Sequence, residues 1–77
     1  MKDAIEDLII VIEKEKNGEI LQKKIFEIAR QHAMKPFEFF RLIYKILLNS
    51  ERGPRLGPYI IERGKSEVIE KLKDALG

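Results

Sequence analysis

Glycine and proline cut this chain into short lengths, and within each length the apolar residues recur with helical spacing. The breaks fall at Asn17-Gly18, at Lys35-Pro36, along Gly53-Pro54-Arg55-Leu56-Gly57-Pro58, and at Gly64. Ahead of the first break, Ile5, Leu8, Ile9 and Ile12 follow the i, i+3, i+4, i+7 pattern that lines one helical face. No segment alternates polar and apolar residues between hairpin turns, so a sheet has no strands to draw on. The reading is all-α: a compact bundle of about five short helices forming a single domain over residues 1–77. Cysteine is absent, which removes disulfides and thiolate metal sites and leaves a chain of this length to hydrophobic packing alone.

The expected helices are Lys2–Lys16, Glu19–Met34, Pro36–Leu48, Pro54–Arg63 and Glu67–Leu76. Asn17-Gly18 is expected to end the first, since both residue types tolerate left-handed backbone. Leu21, Ile25, Ile28 and Ala29 form the stripe of the second, broadened by Ile20, Phe26 and Ala33. Lys35 precedes a proline and is disfavoured in the α region, whereas Pro36 suits the first position of the next helix. That third helix is polar only at Glu38, Arg41 and Lys45, which predicts that it is the central element. Pro58 has no amide hydrogen, so the fourth helix is either kinked there or begins close by. Gly64 should close it, and Ser66 should N-cap the fifth, in which Val68, Ile69, Leu72 and Leu76 are buried.

Several function classes lose support. The longest apolar run, Leu8–Ile12, is far short of the ~20 residues that span a bilayer, so no membrane partner is expected. Met1-Lys2-Asp3 leads into acidic residues, unlike a signal or transit peptide, and the lack of cysteine suits a reducing, cytoplasmic setting. Lys, Glu and Ile dominate while Gln, Asn and Ser are scarce, a thermophile-like bias. The single histidine, His32, reads as a surface or partly packed residue near a helix C-terminus. The carboxylate pairs Glu13 with Glu15 and Glu67 with Glu70 lie on charge-rich faces. The glycine-rich run matches neither GxxxxGK[ST] nor GxGxxG. No catalytic residue, metal-ligand set or cofactor is expected.

Charge is unevenly spread. Residues 1–29 hold five Lys and seven acids, 30–65 hold eight Lys or Arg and three Glu, and 66–77 hold two Lys and three acids. The basic middle contains the junction Glu51–Ile61. Gly53, Pro54, Leu56, Gly57, Pro58 and Gly64 are explained as a tight helix–helix junction, with Leu56 plugging the core. Arg52 and Arg55 ask for more, because a helix N-terminus flanked by guanidiniums favours phosphate. Arg41 and Lys45, one turn apart, extend these into a candidate basic stripe for a nucleic-acid backbone, and Tyr59 is the aromatic placed to stack on a base or to enter the core. The competing account is a solvated face paired with Glu38, Glu51 and Glu62. A different use of the surface, a protein partner or self-association, would run through Ile5, Leu8, Ile9, Ile10, Val11 and Ile12.

Phe40, Tyr44, Leu47-Leu48, the run Glu51-Arg52-Gly53-Pro54-Arg55-Leu56-Gly57-Pro58, Gly64-Lys65, Val68 and Leu72 form a pattern. In it, Phe39–Leu76 resembles the C-terminal, anticodon-end helical domain of class I lysyl-tRNA synthetases. The first helix adds nothing to the likeness. The resemblance implies an RNA-binding module in a helical cage for the tRNA anticodon end, with Arg52 and Arg55 at the family's turn. Asn49 stands where the family pattern has glycine, a position asparagine tolerates. The family's catalytic domain, with HIGH-like and KMSKS-like signatures, has no counterpart in these residues, so lysine activation is not expected of the chain by itself. It reads as a stand-alone homologue or a domain of a larger synthetase that binds tRNA or another structured RNA. The alternative is a helical protein–protein interaction or dimerisation domain that has lost RNA.

Overall fold

Every predicted break separates two helices, though not always by the predicted means. The computed structural model describes residues 2–77, in which α1 spans Lys2–Lys14, α2 Gly18–Gln31, α3 Pro36–Leu48, α4 Leu56–Arg63 and α5 Lys65–Leu76. Asn17 does not end α1 in a left-handed conformation. It is extended (φ −95°, ψ 123°) and caps α2, its side-chain oxygen accepting from the Ile20 N–H at 3.0 Å. Glu15 ties the same connection down: Lys24 lies 2.9 Å from its carboxylate and the Asn17 N–H donates to it at 3.1 Å. The hydrogen bond from Lys24, then that from Asn17, holds the Glu15 carboxyl below the usual carboxylate range. α2 stops three residues earlier than expected, and Ala33 beyond it takes a positive φ of 57°.

Asn49, at φ 53° and ψ 40°, closes α3 in the left-handed region as its side chain allows. α4 begins at Leu56, so Pro58 is its third residue, where no intrahelical amide bond is lost and no kink follows. Gly64, at φ 114°, is the whole connection between α4 and α5. Ser66 is not the N-cap of α5: the helix has already begun at Lys65, and no side chain caps it.

The ten largest fully buried side chains are five i, i+4 pairs, one from each helix: Leu8 and Ile12, Leu21 and Ile25, Phe39 and Ile43, Leu56 and Ile60, Val68 and Leu72. Burying each contributes about 1.5–3 kcal/mol, and no polar side chain is buried among them. α1, α3 and α4 each pack against both α2 and α5. The shared neighbours are thus α2 and α5 rather than the more apolar α3, of which only Phe39, Phe40, Ile43 and Leu47 are buried. α1 differs likewise from its expected role. Ile5, Leu8, Ile9 and Ile12 lie in the core and Val11 packs against it, leaving Ile10 as the exposed member of the proposed partner face. No helix among the described residues is long and apolar enough to cross a membrane.

α2 and α4 meet backbone to backbone. A Cβ on Gly57 would overlap the Gly18 carbonyl oxygen and lie 2.7 Å from the Gln22 nitrogen, and a Cβ on Gly18 would lie 2.9 Å from the Pro58 Cα. These neighbours are main chain and cannot swing aside. Gly57→Ala is therefore expected to cost about 3 kcal/mol or more, seen as a large drop in the urea midpoint followed by circular dichroism. Ala33→Gly should act in the opposite sense, since an exposed L-residue at φ 57° is strained. A gain of about 0.5–1 kcal/mol and a melting temperature a few degrees higher are the expected result.

Candidate nucleic-acid interface

The 49–55 segment between α3 and α4 has no regular structure, yet side chains from three directions fix it. The Ser50 hydroxyl donates to the Arg52 carbonyl at 2.8 Å, closing the turn locally. Gly53 sits against Leu48 and Tyr44, and a Cβ there would lie 2.7 Å from the Leu48 methyl. The Tyr44 hydroxyl donates to the Pro54 carbonyl at 2.6 Å. Past the turn, Leu56 is wholly buried, as its role of plug predicts, and the Gly57 N–H donates to the Gln22 side-chain oxygen at 2.7 Å. Gln22 thus takes up one of the open amides of α4 that an anion was expected to use.

Arg41, Lys45, Arg52 and Arg55 are all exposed. Arg41 Nε lies 3.6 Å from Glu51 Oε1, which draws the polar strip of α3 to the turn. Arg55 Nη2 lies 2.6 Å from Glu19 Oε1, a partner on α2 that the chain's linear order gives no hint of. Among the described residues Lys45 and Arg52 form no ion pair, and neither do the expected acidic partners Glu38 and Glu62. Of the acids expected to pair with this surface, Glu51 alone does so among the described residues. Exposed pairs of this kind contribute about 0–1 kcal/mol, so a phosphate can displace their carboxylates. Tyr59 is half-buried against the core and borders a shallow dent with Glu62 and Arg63.

Different aromatics face the turn. α3 presents Phe37, Phe40, Arg41 and Tyr44 at i, i+3, i+4 and i+7, opposite Gln22 and Phe26 of α2, and Glu51 completes a hollow of about 410 Å³. Phe26 and Phe40 pack with ring centroids 4.7 Å apart, and the Arg41 guanidinium lies 5.9 Å from the centre of the Phe37 ring. The aromatic spacing on α3 was visible in the sequence. Its apolar character pointed to burial, and the exposure of Phe37 and Phe26 depends on how far α2 and α3 diverge. His32 joins α1 instead, 2.7 Å from Asp7, away from this surface. Among the described residues no three His, Asp or Glu side chains gather as metal ligands would.

Fold and surface together define a small all-helical module with one edge where exposed aromatic and cationic side chains lie together. By sequence it is related to a segment of lysine–tRNA ligases. It is 39% identical over 59 residues to that of Cenarchaeum symbiosum (strain A), covering 77% of this chain and 11% of the ligase. It is 31% identical over 78 residues to that of Methanopyrus kandleri, covering 97% of this chain and 14% of the ligase. It is 38% identical over 64 residues to that of Borreliella burgdorferi, covering 77% of this chain and 12% of the ligase. The chain thus spans about an eighth of the length of the ligases it matches. The likeness read from Phe39–Leu76 holds and extends further, since a match over 97% of the chain takes in α1. No family model matches the chain, and no solved structure does.

Burial raises the Tyr44 phenol above its ordinary value, against an opposing pull from the Arg55 charge. A group whose folded value is raised stabilises the fold fully below its unfolded value and loses that contribution as pH rises through the folded one. Tyr44→Phe should lower stability by about 1 kcal/mol at neutral pH. The gap to the parent should narrow above pH ~10, as read from urea midpoints on either side of that value.

Proposed function

We propose that the chain is a non-catalytic, single-domain module that binds tRNA or another structured RNA along the edge formed by the α3 polar strip and the 49–55 turn. One observation supports this reading: Arg41 reaches the turn through Glu51, Arg55 stands at its end, Tyr44 braces it, and the carboxylates that meet both arginines are exposed and displaceable. The names of its relatives, lysine–tRNA ligases, make tRNA the RNA of choice. The resemblance to the anticodon-end domain of that family implies the anticodon end as the part engaged. A cytoplasmic location follows from that partner. The protein-interaction alternative needs an exposed apolar face on α1, where four of the six residues it would use are buried.

Titration with tRNA at two salt concentrations tests the proposal. Arg52→Ala and Arg55→Ala should each weaken binding and shallow the salt slope by about one, because each neutralised phosphate releases counterions. Glu19→Gln frees Arg55 and should tighten binding. Affinities that none of the three substitutions moves would remove the site.

A further inference from the structure

Two exposed helix faces of opposite charge are each centred on one large apolar side chain. On α1 it is Ile10, 49% exposed and turned away from the buried Ile5, Leu8, Ile9 and Ile12. Asp3, Glu6 and Glu13, at i−7, i−4 and i+3 from it, are exposed and form no ion pair among the described residues. Asp7 is taken by His32, and Lys14 is the cation within a turn of Ile10. On α3 it is Phe37, 58% exposed, with Arg41 and Lys45 following at i+4 and i+8 along one ridge. We propose that these faces are the two halves of a self-association contact, in which the α1 face of one copy of this chain docks on the Phe37, Arg41 and Lys45 ridge of another. The contact goes beyond the RNA-binding reading and does not depend on it, although it uses part of the same edge.

A single exposed isoleucine is ordinary on a protein surface, and the charged surround is what sets Ile10 apart. Its neighbours are mostly carboxylates, and those of Phe37 on the ridge are cations, so each face is the complement of the other. The sequence is divided in the same sense: residues 1–29 hold five Lys and seven acids, and 30–65 hold eight Lys or Arg and three Glu. Both helices are fixed by packing against α2 and α5, so the faces cannot close on each other within one molecule. A second copy supplies the complement of both. Residues one turn apart on a helix lie about 5–6 Å from each other. An Ile10 side chain seated on the Phe37 ring therefore sets Glu6 or Glu13 level with Arg41, according to the direction of the docked helix. Glu51, 3.6 Å from Arg41, is exposed and can give way to the incoming carboxylate.

The apolar pair supplies attraction and the charges supply register. Only Ile10 of α1 is needed, so the burial of the other apolar residues of that helix does not stand against the contact. Two helix faces bury less than the ~1,200 Å² of stable complexes, so a dissociation constant of about 0.1–1 mM is expected. Because α1 meets α3 rather than a second α1, the contact is head-to-tail and, repeated, builds open chains.

Sedimentation velocity of the full chain over rising concentration tests the contact. The sedimentation coefficient should climb with concentration, and association should weaken about tenfold between roughly 0.05 M and 0.5 M salt. Ile10→Lys and Phe37→Glu should each leave a monomer with unchanged helical circular dichroism, since both side chains are exposed. Mixed in equal amounts, these two variants should form a one-to-one pair and nothing larger, because the first keeps an intact α3 ridge and the second an intact α1 face. Should either variant lose helicity, Glu6→Lys combined with Glu13→Lys, mixed with Arg41→Glu, gives the same readout. A parent chain that stays monomeric at low salt throughout the concentration range overturns the proposal. So does association that salt or both variants leave unchanged, and so does a mixture that stays monomeric when the parent associates, which would assign the contact to a symmetric patch. Loss or retention of RNA binding in these experiments bears on the RNA reading alone.

Discussion

Where α2 and α4 cross, no side chain separates the two backbones, and the rest of the molecule is arranged around that contact. Gly57 lies on the carbonyl of Gly18, and Pro58 lies against Gly18 itself. Only at this separation can Gln22 reach the Gly57 N–H at 2.7 Å and satisfy an amide that the start of a helix leaves open. The same closeness inserts Leu56 and Ile60 among the buried side chains of the other helices. It also sets Arg55, immediately before α4, beside Glu19, which lies one turn of α2 before Gln22. The glycines therefore place a charge as well as a core residue. The division between scaffold residues and functional residues in the junction is less clean than the residue types suggest.

Much of the architecture was legible because its punctuation is chemical. Pro36 begins α3, Asn49 and Gly64 take the positive φ that asparagine tolerates and glycine, lacking a Cβ, adopts freely, and Leu56 is the core plug. What was not legible depends on which surfaces meet. Periodicity shows that a face of α3 is apolar, not that α2 and α5 cover only part of it. Ser66 has the right chemistry for an N-cap but follows Gly64, whose backbone lets α5 start at Lys65 without one. Asn17 suits either end of a helix, and the deciding factor is an α2 N–H that its side chain can reach. The Glu19–Arg55 and Tyr44–Pro54 contacts join segments whose proximity follows from the helix packing and from nothing local.

On the proposed reading, the basic edge favours an anion although its charge is nearly balanced. Arg41 and Arg55 are each held by a single carboxylate, Glu51 in the turn and Glu19 on α2, each pair largely in solvent. Such pairs keep long side chains ordered at little energetic gain, so a phosphate that replaces the carboxylate meets guanidiniums already placed. Tyr44 contributes by holding the Pro54 carbonyl, which limits the freedom of the residue before Arg55. Order in the turn thus comes from an uncharged hydrogen bond, and the charges remain free to exchange partners.

The position of α3 explains why aromatics and cations occur together here. A helix that is apolar around most of its circumference, yet packed chiefly against α2 and α5, has apolar residues left over. A bundle of this size has no sixth helix among its described residues to cover them. Leu42 and Ile46 are partly sheltered near the end of α5, whereas Phe37 remains open beside Arg41. Leaving a phenylalanine in water forgoes roughly the 1.5–3 kcal/mol that its burial would contribute, a large share for a chain this small. Alanine at that position would avoid the exposure and favour the helix. The ring instead stands half-open to water with the Arg41 guanidinium 5.9 Å from its centre, so an apolar face and a charge are presented side by side.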